Sequence, residues 1–198
     1  MAERLQIRSV SFDTSFLLKD DPSIDDVIKI LAHDQISCFV TTTVASELEQ
    51  LKIWGRITES DYKTAIKRLA HVHATVIDFK NRLLSDALSN ACRHSMQDHG
   101  IDAGAVVNDC AILISTMKNG VDLFLSEDFH FTSTITKEVI DELQHAACSE
   151  YSLMCGTQLY SINARMFLKS YEDGFVDLKA IQTHHHRNPK KHESNPKR

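Results

Sequence analysis

The 198-residue sequence predicts an α/β protein built on one mostly parallel, five-stranded sheet. Three observations predict it. Short apolar runs alternate with stretches whose apolar residues recur at helical spacing, as successive βα units do. Each of five such runs is followed by residues able to start a helix. Only six Gly and three Pro interrupt the chain, which favours long helices and short loops.

The first strand is expected over 7–12. Asp20-Asp21-Pro22-Ser23 then makes a polar loop with Pro placed to open a helix, and Ile24, Val27, Ile28 and Leu31 form its apolar face. The second strand is expected over 36–41. Thr41, Thr42 and Thr43 supply N-cap hydroxyls for the next helix, whose stripe of Val44, Leu48 and Leu51 leaves Glu47 near its start. Thr58-Glu59-Ser60-Asp61 resembles a capping box, with Tyr62, Ile66 and Leu69 as the apolar face behind it. A third strand over 74–79 and a helix over 81–97, with Leu83, Leu84, Ala87, Leu88, Ala91 and Cys92, complete an insertion of α-hairpin type. Asp109 opens the helix that feeds a fourth strand over 121–126. Ile135, Val139, Ile140, Leu143 and Ala147 mark a helix between 132 and 149, a fifth strand is expected over 158–162, and Asn163 can cap a last helix through Tyr171.

Composition bounds the function. A hydrophobic content of 42% and a charged content of 25% are those of a globular domain, and the length gives one domain, expected over 1–182. No apolar run approaches a membrane span, and the start lacks a signal core, so a cytoplasmic protein without membrane contact is expected. Cys38, Cys92, Cys110, Cys148 and Cys155 are odd in number and include no C-x-x-C pair, which predicts reduced thiols in a core. The net charge of −5 argues against sequence-blind coating of nucleic acid. It hides an asymmetry, because residues 183–198 carry Arg187, Lys190, Lys191, Lys197 and Arg198 against Glu193 alone. That tail is +4 and leaves −9 for the body. With almost no apolar side chain, it is expected to be disordered, a solubilising tail or an electrostatic arm for RNA phosphates.

The chemistry lies in carboxylates. In open parallel sheets ligands bind beyond the carboxyl ends of the strands. Asp13 ends the first strand, Asp128 follows the fourth by two residues, and Glu47 begins the helix after the second. An acid directly after an apolar strand needs a partner, and a cluster of acids without counter-charge raises its own pKa values, so such clusters normally hold cations. Hard oxygen ligands favour Mg2+ or Mn2+, and no Cys or His pattern in the body suggests zinc. Spacing alone does not bring Asp109 to the same rim. Strand alternation turns Glu127 away from Ser126 and Asp128, and Asp122 sits at the opposite end of its strand.

The succession VSFDTSFLL, TTTVASELEQL and NDCAILISTMKNGVDLFLSEDFHF resembles the PIN-domain nucleases, the family that includes the toxin ribonucleases of toxin–antitoxin pairs. Over about residues 8–131 it has that family's order of motifs: an Asp ending the first strand, a Glu in an early helix, an Asp opening a later helix and a hydroxyl-x-Asp turn after the next strand. The resemblance implies a three-layer α/β/α sandwich and a quartet of Asp13, Glu47, Asp109 and Asp128 that binds Mg2+ or Mn2+ and is catalytic, with Ser126 in support. It implies an endoribonuclease hydrolysing RNA by metal-activated water, toxin-type or RNA-processing, with an antitoxin-type protein partner in the first case and a homodimer as a common assembly. The chain is longer than a compact toxin. A domain that binds RNA or protein without cutting is the alternative.

Other motifs carry less. His130 could touch phosphate, and His184, His185 and His186 sit in the tail. Asp13-Thr14-Ser15 lacks the second Asp of the phosphatase motif, and no Gly-rich nucleotide loop is present. Lys19, Lys52 and Arg56 are the basic residues expected near the rim. Ile53 and Trp54 are expected to pack in the core rather than face a partner.

Overall fold

The computed structural model describes residues 4–102, 104–156, 158–179 and 181. The expected tail over 183–198 and the domain boundary at 182 lie outside the described residues. In chain order the elements are β1 (Arg4–Gln6), β2 (Ser9–Phe12), α1 (Thr14–Leu18), α2 (Pro22–His33), β3 (Ser37–Thr41) and α3 (Thr42–Ile53). There follow α4 (Glu59–His71), β4 (Thr75–Ile77), α5 (Arg82–Asp98), α6 (Val107–Lys118), β5 (Leu123–Leu125) and α7 (Phe129–Thr132). The chain continues through α8 (Thr134–Tyr151), β6 (Tyr160–Ile162), α9 (Ala164–Ser170), β7 (Tyr171–Glu172) and β8 (Phe175–Asp177).

All five expected strands form, each shorter than its apolar run, and they pair in parallel in the order β4-β3-β2-β5-β6. The chain enters at β2, in the centre, builds outward through β3 and β4, and then crosses to β5 and β6 on the other side. Right-handed crossovers in opposite directions put helices on both faces of such a sheet. Accordingly α1, α3 and α4 pack together, with α2 against α4 and α9, while α5 packs on α6 and α8 and α7 packs on α8. The fold is a three-layer α/β/α sandwich.

Local chemistry starts the helices where the sequence places them. Asp21, Thr41, Asn81 and Asn163 each accept an amide hydrogen bond from the first turn that follows, and Thr58 and Asp61 form a reciprocal capping box. Strand and helix faces then bury a single core in which Phe12 stacks on Phe16 with ring centroids 5.5 Å apart, and Phe124 meets Phe131 edge-on at 5.0 Å. Each buried Phe contributes roughly 1.5–3 kcal/mol.

The expected face of α4 is corrected. Ile66 is exposed and Ala65 and Arg68 are buried instead. Arg68 takes a core-facing position because its Nη1 donates to Leu17 O and Lys19 O at 2.7 and 2.9 Å, and its Nε pairs with Asp25 at 2.9 Å. A charged side chain thereby satisfies the carbonyls that α1 leaves at its end. Ile53 and Trp54 are also corrected. They are 78% and 67% exposed at the end of α3 rather than packed in the core.

The thiol expectation fails for four of the five cysteines. Cys92 and Cys110 form a disulfide between α5 and α6, Cα atoms 5.7 Å apart, and Cys148 pairs with Cys155 at 4.9 Å. Only Cys38 is free, and burial pushes its thiol up to about 12. The Cys92–Cys110 partners meet because two helices pack, which spacing along the chain does not reveal. Thiol chemistry therefore no longer points to a reducing compartment. No helix among the described residues is long and apolar enough to cross a membrane.

A second, small antiparallel sheet, β1-β8-β7, was not expected. Its hairpin turns at Asp173-Gly174, whose φ values of 48° and 84° match the turn that an Asp-Gly pair favours.

Candidate metal centre

The strand order places the site. Ligands of an open parallel sheet bind where the strand order reverses, and here that point lies between β2 and β5. Asp13 follows β2 and Asp128 follows β5, so the two acids flank the crevice. The amide of Asp13 donates to Leu125 O at 2.9 Å, continuing the β2–β5 ladder to the rim.

Asp13 is 4% exposed and serves as N-cap of α1. Its Oδ2 accepts from Ser15 Oγ at 2.5 Å, from Ser126 Oγ at 2.9 Å and from the Ser15 amide at 3.3 Å. Burial raises its pKa, the hydrogen bonds from Ser15 and Ser126 oppose that rise, and the Glu47 charge adds to it. The two hydroxyls also accept from the turn that carries Asp128. Ser15 Oγ accepts from the amides of Glu127 and Asp128 at 3.0 and 3.1 Å, and Ser126 Oγ accepts from the Asp128 amide at 3.0 Å. One hydroxyl pair thus fixes both strand ends relative to each other. Asp128 caps α7, its Oδ1 accepting from the His130 amide at 2.8 Å.

Glu47 sits in the second turn of α3, where Thr14 Oγ1 donates to its Oε2 at 2.5 Å. Asp109 lies in the first turn of α6, half-buried. Its pKa is pushed up to about 7, by burial first and then by the charges of Asp13, Asp128 and Glu47. Spacing left Asp109 unplaced. Its coupling to the other three acids, together with the packing of α3 on α6, puts it at the same rim.

The structure therefore brings Asp13, Glu47, Asp109 and Asp128 into one electrostatic cluster, with Ser126 beneath it. Among the described residues no Lys or Arg forms an ion pair with any of the four. No three Asp, Glu, His or Cys side chains among those residues meet at ligand spacing. The acids are coupled through charge and held by hydroxyls rather than converged on one point.

The other sequence candidates make contacts of their own. Glu127 turns away and its Oε1 accepts from the Ala164 amide at 2.8 Å, at the start of α9. Asp122 accepts from the Arg8 and Ser9 amides at 2.9 and 3.1 Å at the opposite end of the sheet. His130 is exposed, with its ring against Phe129. Lys52 pairs with Glu59 at 2.9 Å and lies over the Tyr62 ring, and Lys19 and Arg56 are exposed. His184, His185 and His186 lie outside the described residues. Two positions were missed, Thr14 and Ser15. Their signal was the hydroxyl pair directly after a strand-ending Asp.

The cluster makes stability depend on pH. Asp109 has a folded pKa of about 7 against an ordinary 3.8, so the folded state keeps a proton that the unfolded chain has lost between those values. The contribution is absent below about pH 4, and rising pH destabilises the fold until the penalty is complete above about 7. Discounted for solvent screening it is about 1–2 kcal/mol, or roughly 3–8 °C in melting temperature. Melting in EDTA at pH 5 and pH 8 checks this. Asp109→Asn is expected to flatten most of the difference.

Compared with protein-family models and with curated proteins, the sequence matches none.

Proposed function

We propose that this protein is a metal-dependent endoribonuclease that hydrolyses phosphodiester bonds of RNA at the rim between β2 and β5. The observation that carries the reading is Asp109, whose carboxyl is pushed up to about 7 by burial first and then by the charges of Asp13, Asp128 and Glu47, while among the described residues no Lys or Arg is ion-paired to any of the four. Such a cluster destabilises the fold at neutral pH, and a cation offsets the repulsion. The donor set is four carboxylates, which suits a hard divalent ion such as Mg2+ or Mn2+. Asp13, Glu47, Asp109 and Asp128 would hold it, and the ion would supply Lewis acidity and charge neutralisation toward a phosphodiester.

The chain's own residues do the positioning. Ser15 and Ser126 lock Asp13 and the Asp128 turn together, Thr14 orients Glu47, and the first turn of α6 presents Asp109. Without an ion, burial and the neighbouring acids raise the Asp109 carboxyl to about 7, so a cation bound there would displace a proton near neutral pH. RNA is the partner this reading needs. An antitoxin-type partner and a homodimer belong to its toxin form, and the neighbouring reading frame decides between that form and a processing nuclease.

Metal linkage tests the reading. At a concentration about 100 times its dissociation constant, Mn2+ is expected to stabilise the protein by about 2.7 kcal/mol. That raises the melting temperature by roughly 5–10 °C at pH 8. The gain is expected to shrink at pH 5, where Asp109 keeps its proton. Asp109→Asn should abolish it. A wild type that melts identically with and without Mn2+ and Mg2+ would instead favour a binding domain that does not cut.

A further inference from the structure

Beside the acid cluster, α3 and the start of α6 border an open groove of about 280 Å3 lined by Thr42, Thr43, Ser46, Glu47, Gln50 and Asn108. We propose that this groove is a subsite for the unpaired nucleoside next to the scissile phosphate, recognised through its sugar hydroxyls and base edge. The inference rests on the nuclease reading above and names where its substrate is read.

Four observations support it. First, the groove adjoins the cluster on both walls: Glu47 belongs to both, and Asn108 is the chain neighbour of Asp109. Second, its volume is close to the lower bound of roughly 300 Å3 for small-ligand sites, a size for one nucleoside rather than a helix. Third, its lining is uncharged except for Glu47. Without Lys or Arg it repels a phosphate and accepts a neutral group. Fourth, its polar groups are available. Thr42 Oγ1 donates to Asp78 at 3.1 Å, whereas the side chains of Thr43, Ser46, Gln50 and Asn108 make no hydrogen bond among the described residues.

The sequence builds this surface deliberately. Thr42, Ser46 and Gln50 recur every fourth residue and so share one stripe of α3, while Val44 and Leu48 carry its buried face. The amides of Gln50 and Asn108 each offer two donors and an acceptor, the pattern that matches a base edge or adjacent sugar hydroxyls. No aromatic side chain lines the groove, so stacking is not the means of recognition. In duplex RNA the pairing edges of the bases are occupied and the major groove is too deep and narrow for side chains, so amides that read a base edge suit a single-stranded ligand.

The test is binding, separated from cleavage. Fluorescence anisotropy of a labelled mixed-sequence single-stranded RNA is measured in Mg2+ on Asp13→Asn protein, with and without Gln50→Ala plus Asn108→Ala. Both side chains are exposed, so melting temperatures should agree within a degree or two. The expected result is binding weakened about 5- to 20-fold by the pair, the range of one or two lost hydrogen bonds. Ser46→Glu, which adds a like charge to the groove, should weaken it at least as much. A DNA strand of the same sequence separates the sugar contribution from the base contribution. Affinity within twofold of the parent for both sets of variants, or a parent that binds no RNA, overturns the subsite. Weakened binding together with a wild type that cuts no RNA would leave the groove standing as an RNA site and remove the nuclease reading.

Discussion

Phe124→Ala is expected to cost about 3–5 kcal/mol, enough to lower the melting temperature by about 10 °C. Phe124 is fully buried in β5, which runs between β2 and β6. Alternation along the strand puts its side chain on the same face as Ser126, and its ring meets Phe131 of α7 edge-on at 5.0 Å. Truncation leaves a cavity under a one-turn helix whose first residue follows the Asp128 cap. Stability and site are therefore coupled here, and the variant should also lose part of any metal-induced stabilisation. Urea denaturation measures the loss. Phe129→Ala, at an exposed neighbouring position, is the control and should stay within about 0.5 kcal/mol. A loss below about 1 kcal/mol for Phe124→Ala would mean that α7 does not depend on this contact.

The framework was legible where local chemistry and periodicity agree. Pro22, Thr41, Asn81 and Asn163 sit where helices begin, and the apolar runs became strands with their ends trimmed, because the flanking residues serve as caps and loops. Asp13 and Asp128 could be placed because each closely follows a strand, and strand ends share a rim in a parallel sheet. Asp109 could not be placed that way. Its position depends on how α6 packs against α3, a tertiary fact that no local spacing contains.

The failures have the same cause. Arg68 reads as a surface residue until the carbonyls of Leu17 and Lys19 are brought to it. Cys92 and Cys110 are 18 residues apart and meet only because α5 lies on α6. Trp54 reads as core by composition, yet it sits at the end of α3, past the last buried turn, and is left exposed. The small sheet was hidden because β1 and β8 are three-residue strands from opposite ends of the described chain. Its Asp173-Gly174 turn was the one local sign of it.

The largest functional effect is expected at Asp13. All of its side-chain hydrogen bonds from Ser15 and Ser126 end on Oδ2, so an amide oxygen can replace that atom while the amide nitrogen replaces Oδ1. Burial already favours the neutral form of this side chain, so Asp13→Asn removes charge without leaving the serine hydroxyls unpaired. The fold should survive within about 1–2 kcal/mol. What is lost is one acid of the cluster at the sheet's switch point, and under the proposed hydrolysis that lowers the rate about 10²- to 10⁴-fold.

Cleavage of a structured RNA with single-stranded loops, by wild type and Asp13→Asn at matched folded concentration with Mg2+, with Mn2+ and with EDTA, is the most direct measurement. Cutting by the wild type in either metal, none in EDTA, and a variant slower by at least about 100-fold is the predicted result. Equal cutting by the two proteins, or no cutting by the wild type in either metal, would contradict the account.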